Sequence, residues 1–283
     1  MITSILQGGF GNQLFQYASA YALAKKTNQE LLLDCSFYTH ALNQKTPRAF
    51  QLDKLNLKEH KVVINHRNLS KIHTIATISQ RLPILRRLFR PTLIIEDTNN
   101  CRNFQKELWN DDITCDTVLF GFWQNTKYFS DYKDELKQQF TPSYTLNDEV
   151  EVLKKAILDS NSVGVHIRRG DFVQLGWDKD DSYYNAGMAL MKNLYPDCAF
   201  YIITDDPPWA REKYSSLAHV VDLQTDTKDI DEFFLLSQCR HMLISESTFG
   251  WWAAYLNNNE SSTIIVPSEA QGELFERDWI RLR

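Results

Sequence analysis

Several residue types are scarce in this 283-residue chain, and each scarcity excludes a class of protein. Only 10 glycines and 8 prolines occur beside 43% hydrophobic residues, which excludes a collagen-like or disordered chain. The five cysteines form an odd set without a CxxC pair, so they favour buried, reduced thiols over a disulfide framework or a zinc site. Long uncharged apolar runs are missing, and the sequence therefore predicts no ordinary membrane-spanning helix.

Positive charge is also in the minority. The 31 Lys and Arg residues face 36 Asp and Glu residues, which gives a formal net charge of −5, the opposite of a general nucleic-acid binder. The length allows one large or two medium domains. The chain opens on the strand-like segment Ile2–Leu6 with no basic or apolar leader, so we expect no signal peptide and a cytoplasmic location.

Strand and helix patterns alternate along most of the chain, which predicts an α/β fold with parallel sheets. Residues 35–115 are the exception, because only scattered helices are predicted there. The elements expected around this stretch are a strand at Ile2–Leu6, a helix capped by Asn12 and reaching Lys26, a strand at Glu30–Asp34, a strand at Thr117–Phe122 and a helix at Thr126–Phe140.

The alternation is clearest after residues 141–148, which contain a proline and are predicted to be a linker. We therefore expect two domains, 1–148 and 149–283, the second an open, doubly wound sheet whose last helix packs back on the first domain. The predicted elements are helix Glu149–Leu158, strand Ser162–Ile167, helix Tyr183–Leu194, strand Ala199–Thr204, helix Pro207–Tyr214, strand His219–Leu223, helix Asp229–Cys239, strand Met242–Ser245, helix Thr248–Leu256 and strand Thr263–Pro267.

Glycine, charged or hydroxyl residues follow four of the predicted strands. Ligands of open parallel sheets bind beyond the carboxyl ends of the strands, so this clustering predicts a site. The four segments are Gly8–Gln13, Arg168–Asp171, Asp205–Asp206 and Glu246–Thr248. We interpret the acidic pair as a turn and helix cap rather than as a metal motif.

Two adjacent arginines, Arg168 and Arg169, end the strand that contains His166. Guanidinium groups bind phosphate oxygens in a bidentate manner, so a diphosphate is one fitting partner, with Asp171 holding one arginine. An ordinary surface Arg–Asp pair explains the segment equally well. Ser247 opens the next helix, where it either helps to bind an anion or simply caps the helix.

The glycine loop has Leu14 where a dinucleotide-binding fingerprint needs its third glycine. The loop therefore favours a turn that lets a sugar or a phosphate approach the backbone. Phe122, Trp123, Tyr128 and Phe129 have the pattern of exposed rings suited to sugar faces, although core packing explains each ring as well. In residues 81–90 arginines alternate with apolar side chains, which fits a membrane-surface helix or, as we favour, a solvated helix face.

Three segments together resemble glycosyltransferase family 11, and in particular its bacterial α-1,2-fucosyltransferases. They are GGFGNQLFQYA at residues 8–18, GVHIRRGDF at 164–172 and STFGWWAAYL at 247–256. Gly121–Gln124 with Lys127–Phe129, and Leu235–Cys239, also look like that family.

The resemblance implies two Rossmann-like lobes of the GT-B type that face a cleft. It implies an inverting, metal-independent transfer of L-fucose from GDP-β-L-fucose to the 2-hydroxyl group of a galactoside, without a cofactor. The expected partners are GDP-fucose and a galactose-terminated glycan, with a lipid-linked acceptor and O-antigen synthesis as the setting. The expected location is the bacterial cytoplasm, including the inner face of the membrane.

The resemblance also assigns roles to particular residues. Glu232 falls where the family usually has Asp and would contact the guanine base, whereas Glu246 falls where bacterial members often have Asn. The implied catalytic residues are Arg168, His166 and Asp171; the implied donor-binding residues are Arg168, Arg169, Glu232, Ser247, Thr248 and Phe249; and the implied acceptor-side residues are Gly9, Gly11, Asn12, Trp123 and Gln124.

Two alternatives remain at this point. One is a transferase for another nucleotide-activated sugar, and the other is a non-catalytic module that binds a GDP-sugar or a glycan. The nicotinamide dehydrogenase interpretation is disfavoured by Leu14.

Overall fold

The computed structural model describes residues 1–39, 48–58, 60–64, 66–82, 84, 88, 92–106, 109, 113–270, 273–276 and 278–283. The chain divides into two compact units. The first comprises Met1–Phe140 with a short segment that contains Glu273 and Leu274, and the second comprises Thr141–Ala270 with Phe275–Arg283. Residues 141–148, predicted as a linker of the first domain, thus belong to the second unit.

The first unit contains a parallel sheet with the strand order β3-β2-β1-β5-β4. The order reverses direction between β1 and β5, which makes their carboxyl ends a topological switch point. Its elements are β1 (Ile2–Ile5), α1 (Phe10–Thr27), β2 (Leu31–Asp34), α2 (Ser36–Thr39), β3 (His60–Val63), α3 (His66–Arg81), β4 (Leu93–Ile95), β5 (Thr117–Phe120) and α4 (Lys133–Gln139), with 3₁₀ turns at Leu52–Lys54, Thr98–Asn100, Thr126–Tyr128 and Ser130–Tyr132.

The second unit contains a parallel sheet with the order β11-β10-β9-β6-β7-β8 and a switch point between β6 and β9. All six residues of β6 are buried, as expected of a central parallel strand. The elements are α5 (Asp148–Leu158), β6 (Ser162–Ile167), α6 (Gly170–Leu175), α7 (Asp181–Leu194), β7 (Ala199–Thr204), α8 (Pro207–Tyr214), β8 (Ala218–Val220), α9 (Lys228–Gln238), β9 (His241–Ile244), α10 (Thr248–Tyr255), β10 (Ile264–Pro267) and β11 (Ile280–Leu282).

Close packing of helices on the second sheet depends on small residues. A Cβ atom at Gly164 in β6 would lie 2.6 Å from Leu236 of α9, and one at Gly187 in α7 would lie 2.5 Å from Leu243 of β9. Apolar side chains on the face of the sheet covered by α7 form one core. Its buried members include Val163, Val165, Ile167, Tyr184, Met188, Met191, Phe200, Ile202, Leu243 and Ile265.

Several predicted elements need correction. Helix α1 begins at Phe10 with Gly9 as its N-cap, because the Gly9 carbonyl already accepts the backbone N–H groups of Asn12 and Gln13. The single helix predicted at 126–140 is two 3₁₀ turns followed by α4, since Phe129 adopts φ −143° and ψ 2° between the turns. Helix α6 and strands β3 and β4 were not predicted.

The last predicted helix, Thr248–Leu256, is confirmed as α10, and its packing on the first domain stays a prediction. The described residues after β10 form turns and the strand β11. The arginine-rich helix predicted at 81–90 lies largely outside the described residues, so the solvated face that we favour and the membrane-surface alternative both stay untested predictions. Within the described part of the chain, the helices are too short or too polar to span a bilayer. All five cysteines are free thiols, and Cys35, Cys198 and Cys239 are buried as expected.

Candidate active site

The second sheet places the arginine loop beside the start of α10. His166 of β6 pairs in register with Ile244 of β9, and the backbone N–H of Ser245 donates to the His166 carbonyl at 3.2 Å. The segments that follow these strands, Arg168–Asp171 and Glu246–Thr248, therefore leave neighbouring strands at the same carboxyl edge. This edge is the β6/β9 switch point, where open parallel sheets bind ligands.

Two carboxylates hold Arg168. Its guanidinium group donates to Asp171 at 2.6 Å and forms an ion pair with Asp205 at 2.9 Å, and it lies 5.6 Å from the ring centroid of Phe172. The predicted clamp by Asp171 is confirmed, whereas the ion pair with Asp205, a residue interpreted as part of a turn, was not predicted. About a fifth of the Arg168 side chain is exposed (22%), so a guanidinium with five N–H donors can also reach a ligand at this edge.

Arg169 is fixed by the residues that follow β7. Its backbone N–H donates to Asp205 at 2.8 Å, its Nε donates to Asp206 at 3.2 Å, and its guanidinium group lies 4.0 Å from the centroid of Trp209. Asp206 also caps α8 by accepting the Trp209 N–H at 3.3 Å, as predicted. Because β6 and β7 are neighbours, an acidic pair after β7 could have been assigned to the arginines had the strand order been known.

His166 is a buried neutral imidazole. It is 4% exposed, its Nδ1 lies 3.1 Å from the Ser245 hydroxyl, and its ring stacks on Phe249 with centroids 5.1 Å apart. Burial, with a smaller contribution from Arg168, lowers its pKa to about 3. This position argues against the expected place of His166 among the catalytic side chains and gives it a supporting role between β6 and α10.

The start of α10 has the geometry expected of a helix cap and also that expected of an anion-binding site. The Ser247 hydroxyl accepts the Phe249 N–H at 3.3 Å, so the capping role is confirmed. The remaining first-turn N–H groups, beside half-buried Thr248, keep the partial positive charge of a helix N-terminus. Farther along the helix, Trp251 and Trp252 are fully buried in the core.

Glu232, near the start of α9, is a buried carboxyl group with an unused acceptor. It is 6% exposed, and within the described residues its Oε1 has no hydrogen-bond partner, the Lys228 ammonium lying 3.6 Å away. Burial raises the pKa of Glu232 to about 8. The next ring in α9, Phe233, packs against Phe249 with centroids 5.5 Å apart, so the start of α9 adjoins the start of α10.

The neighbouring acid, Asp231, shows the opposite arrangement. It is 2% exposed and accepts hydroxyl hydrogen bonds from Tyr144, Thr225 and Thr227, each at 2.7 Å. All its bonds are internal, so Asp231 organises the loop before α9, whereas Glu232 retains an acceptor for a ligand. Sequence reasoning did not single out Asp231.

In the first unit, buried amides fix the glycine loop after β1. Gly8 adopts φ +78°, a left-handed conformation that glycine accepts without strain, and its carbonyl accepts the Tyr38 hydroxyl at 3.0 Å. The Gln16 amide bonds both to the N–H and to the carbonyl of Gln7, at 2.9 and 3.2 Å. Gln13 donates to the Ala49 carbonyl at 2.8 Å. Gly9, Gly11 and Asn12 thus stand at the start of a rigidly held helix.

A second turn meets this loop at the β1/β5 switch point. The Gln124 side-chain amide donates to the Asn12 Oδ1 at 3.0 Å, so the structure brings these two predicted residues together. Trp123 is fully buried and packs against Trp109 and Tyr128 with centroids 5.6 and 5.5 Å apart. Of the two interpretations offered for these rings, core packing is confirmed for Trp123, Tyr128 and Phe129, which are buried because the chain turns inward after β5.

Solved structures show which class of protein has this fold. The crystal structure of the α-1,6-fucosyltransferase NodZ soaked with GDP-fucose is similar with a TM-score of 0.51 at 16% identity, over 90% of this chain and 91% of that one. The expected α/β fold with two parallel sheets of the GT-B type is confirmed. At this level of identity the similarity concerns the fold.

The sequence comparisons define the family. The model of glycosyl transferase family 11 matches residues 1–283, and the chain belongs to that family. An α-1,2-colitosyltransferase of Escherichia coli is 29% identical over 95% of this chain and 91% of its own length. The O-antigen biosynthesis glycosyltransferase WbnK of Escherichia coli is 27% identical over 99% of both chains. A galactoside 2-α-L-fucosyltransferase of Caenorhabditis elegans is 29% identical over 93% of this chain and 70% of its own.

Proposed function

We propose that this glycosyltransferase transfers L-fucose from GDP-β-L-fucose to the 2-hydroxyl group of a galactoside, with inversion at the anomeric carbon. The observation that carries the proposal is the convergence of the arginine loop and the Ser247-capped helix at the β6/β9 edge. Membership of family 11 supplies the sugar-transfer chemistry.

The donor diphosphate would lie at this edge. Arg168 and Arg169 are held in place before the ligand arrives, by Asp171, Asp205 and Asp206. Preorganised cationic donors are most effective where charge develops in the transition state. The free N–H groups of α10 would add two or more neutral donors to the same oxygens.

Glu232 would select the base. Guanine presents an N1–H and a 2-amino group side by side, and both need acceptors. Glu232 offers a buried carboxyl group with an unused oxygen near α10, and discrimination is strongest where a site's polar groups stay unpaired with the wrong ligand. Phe249 contacts both Phe233, which follows Glu232, and His166, which lies two residues before Arg168.

The chemical step is a substitution at the fucose C1 atom. The acceptor oxygen forms a bond to C1 while the bond from C1 to the β-phosphate oxygen breaks, and GDP leaves with the electron pair. The acceptor hydroxyl loses its proton to the surroundings. Arg168 and Arg169 stabilise the negative charge that builds up on the departing diphosphate, the role for which a metal ion serves in other transferases.

The acceptor galactoside would bind at the β1/β5 edge of the first unit. Asn12 and Gln124 provide amide groups, and Gly9 leaves the backbone accessible for a sugar hydroxyl. The similarity to WbnK supports a glycan of the O-antigen type as the acceptor.

A second candidate function is transfer of colitose, which is fucose without its 3-hydroxyl group. The α-1,2-colitosyltransferase relative at 29% identity favours it. A site built to hydrogen-bond the 3-hydroxyl group would reject colitose strongly, whereas an apolar one would accept both sugars.

The test uses the purified protein with GDP-fucose or GDP-colitose, excess EDTA and a panel of β-galactosides, with the product linkage determined by NMR. We expect an α-1,2-linked fucoside that forms in the presence of EDTA. A colitoside alone would establish the second candidate, and binding of GDP-fucose without any product would establish a non-catalytic module.

A further inference from the structure

We propose that Glu96 is a positioning residue of the first unit, whose buried carboxyl group holds the Gly121–Gln124 turn so that Gln124 and Asn12 are presented together at the β1/β5 edge. The proposal rests on the proposed function in one respect, namely that this edge receives the acceptor sugar. Glu96 matches no motif of the family resemblance, and it lies in the stretch whose sequence showed no recognisable pattern.

The carboxyl group of Glu96 bonds to backbone, not to a cation. Glu96 follows β4, is 1% exposed, and accepts the Phe122 N–H at 2.6 Å and the Trp123 N–H at 3.0 Å. Among the described residues it has no ion-pair partner. A carboxyl group removed from water needs such donors, and here both come from one turn of the neighbouring strand β5.

The Gly121–Gln124 turn contains a backbone conformation that is energetically unfavourable by itself. Trp123 has φ +56°, in the left-handed region that residues with a bulky side chain avoid. Gly121 is required for the approach, because a Cβ atom there would lie 2.4 Å from the Glu96 Cβ. The two hydrogen bonds to Glu96 therefore oppose the tendency of the turn to relax.

The side chain that follows the turn is the one assigned to the acceptor. Gln124 is 7% exposed, donates to the Asn12 Oδ1 at 3.0 Å and accepts from the Cys101 thiol at 3.7 Å. Asn12 in turn belongs to the first turn of α1. Release of the Glu96 bonds would shift Gln124 and free Asn12 to rotate, without reaching the β6/β9 edge of the other unit.

The test compares Glu96→Ala, Glu96→Gln and Glu96→Asp. Glutamine retains an acceptor oxygen at the same reach, whereas aspartate is one methylene shorter and alanine has no acceptor. The matched control is Asp97→Ala, which removes an adjacent carboxyl group that caps an exposed 3₁₀ turn through the Asn99 N–H. The measurements are KM for the galactoside, KM for GDP-fucose, and hydrogen exchange at the Phe122 and Trp123 amides.

We expect Glu96→Ala to raise the galactoside KM at least tenfold, to leave the GDP-fucose KM within twofold, and to accelerate exchange at both amides. Glu96→Gln should resemble the wild type, and Glu96→Asp should be impaired. These two variants test whether the Glu96 acceptor holds the turn even where the alanine variant does not fold. Equal changes in both KM values, or unchanged amide exchange, would overturn the proposal.

Different results would overturn the proposed function and the proposed role of Glu96. A wild-type protein that transfers no fucose overturns the proposed function. The amide exchange of the variants still decides whether Glu96 holds the turn.

Discussion

The two sheet edges of this protein use different chemistry. The β6/β9 edge is built from charges, with two arginines and three aspartates within a few residues of the strand ends. The buried Glu232 lies in α9. The β1/β5 edge is built from glutamine and asparagine amides and backbone groups around one buried acid. Both follow the same topological rule, so the fold alone does not distinguish them.

The difference matches the ligands proposed for each edge. A departing diphosphate gains negative charge and needs fixed cations, whereas a sugar hydroxyl needs neutral donors and acceptors at defined positions. Five charged groups hold one another at the β6/β9 edge, and a ligand must compete with carboxylates for the guanidinium groups. The carboxylates at this edge therefore orient the guanidinium groups, and the guanidinium groups attract the diphosphate.

Loss of Arg168 should have the largest effect. Arg168→Ala should lower kcat by roughly a hundredfold to a thousandfold, the usual effect of removing one preorganised donor. Turnover should be measured beside circular dichroism to establish that the variant folds. The matched control is Arg240→Ala, an exposed arginine just before β9, at the opposite end of that strand from the site, which should behave like the wild type.

The second-largest effect should be on the selectivity for the guanine base, through Glu232. Glu232→Gln replaces one acceptor with a donor, so it should reduce the preference for GDP over ADP by about tenfold to a hundredfold, in line with the cost of an unpaired polar group. Competition binding with the two nucleotides measures it. Asp229→Asn, an exposed acid on the same helix, should leave the preference unchanged.

Asp205 is expected to matter to a smaller extent. Asp205→Asn weakens the contacts to the Arg168 guanidinium and the Arg169 N–H, so GDP affinity should fall about tenfold while guanosine affinity stays constant. Calorimetry with both ligands separates these effects. Asp206→Asn, which weakens the contact to Arg169 but leaves both carboxylates on Arg168, should fall between Asp205→Asn and the wild type.

The buried carboxyl group of Glu96, at the β1/β5 edge, should make the free energy of unfolding depend on pH. Burial raises the pKa of Glu96 to about 8, so the folded state holds a proton that the unfolded chain loses near its ordinary pKa of 4.5. Stability contributed by that proton is present below pH 4.5 and is lost progressively as the pH rises to 8.

Urea unfolding of the wild type and of Glu96→Gln at pH 5, 7 and 8 measures this contribution. The glutamine variant cannot ionise, so it should gain stability relative to the wild type as the pH rises, by a few kcal/mol at most. A constant difference between the two proteins across this range would show that Glu96 does not titrate there.

Much of the second unit could be predicted because its strands are short apolar runs separated by turn and cap residues. Arg168, Arg169 and Ser247 were found because charged and hydroxyl side chains at strand ends are unusual. The contacts of Asp205 with the arginines and of Glu96 with the turn after β5 were not predicted, for a shared reason. Their roles depend on which strands are neighbours, and strand order is a property of tertiary structure that local pattern does not contain.

The burial of the aromatic residues after β5 could not be decided from the sequence for a related reason. Trp123, Tyr128 and Phe129 carry no periodicity that separates a buried irregular segment from an exposed loop. The backbone turn at Trp123, with its positive φ, directs the ring inward, and a bulky residue in that conformation is not anticipated from sequence. The stretch 35–115 was difficult because β3 is an edge strand without a buried apolar run and β4 is only 3 residues long.

The claim on which the account depends is that the arginines of the β6/β9 edge bind the diphosphate. Calorimetry of GDP and guanosine binding to the wild type and to Arg168→Ala tests it most directly. We predict that the wild type binds GDP at least tenfold more tightly than guanosine and that this gap disappears in the variant. A gap that persists in Arg168→Ala, with the protein folded, would contradict the account.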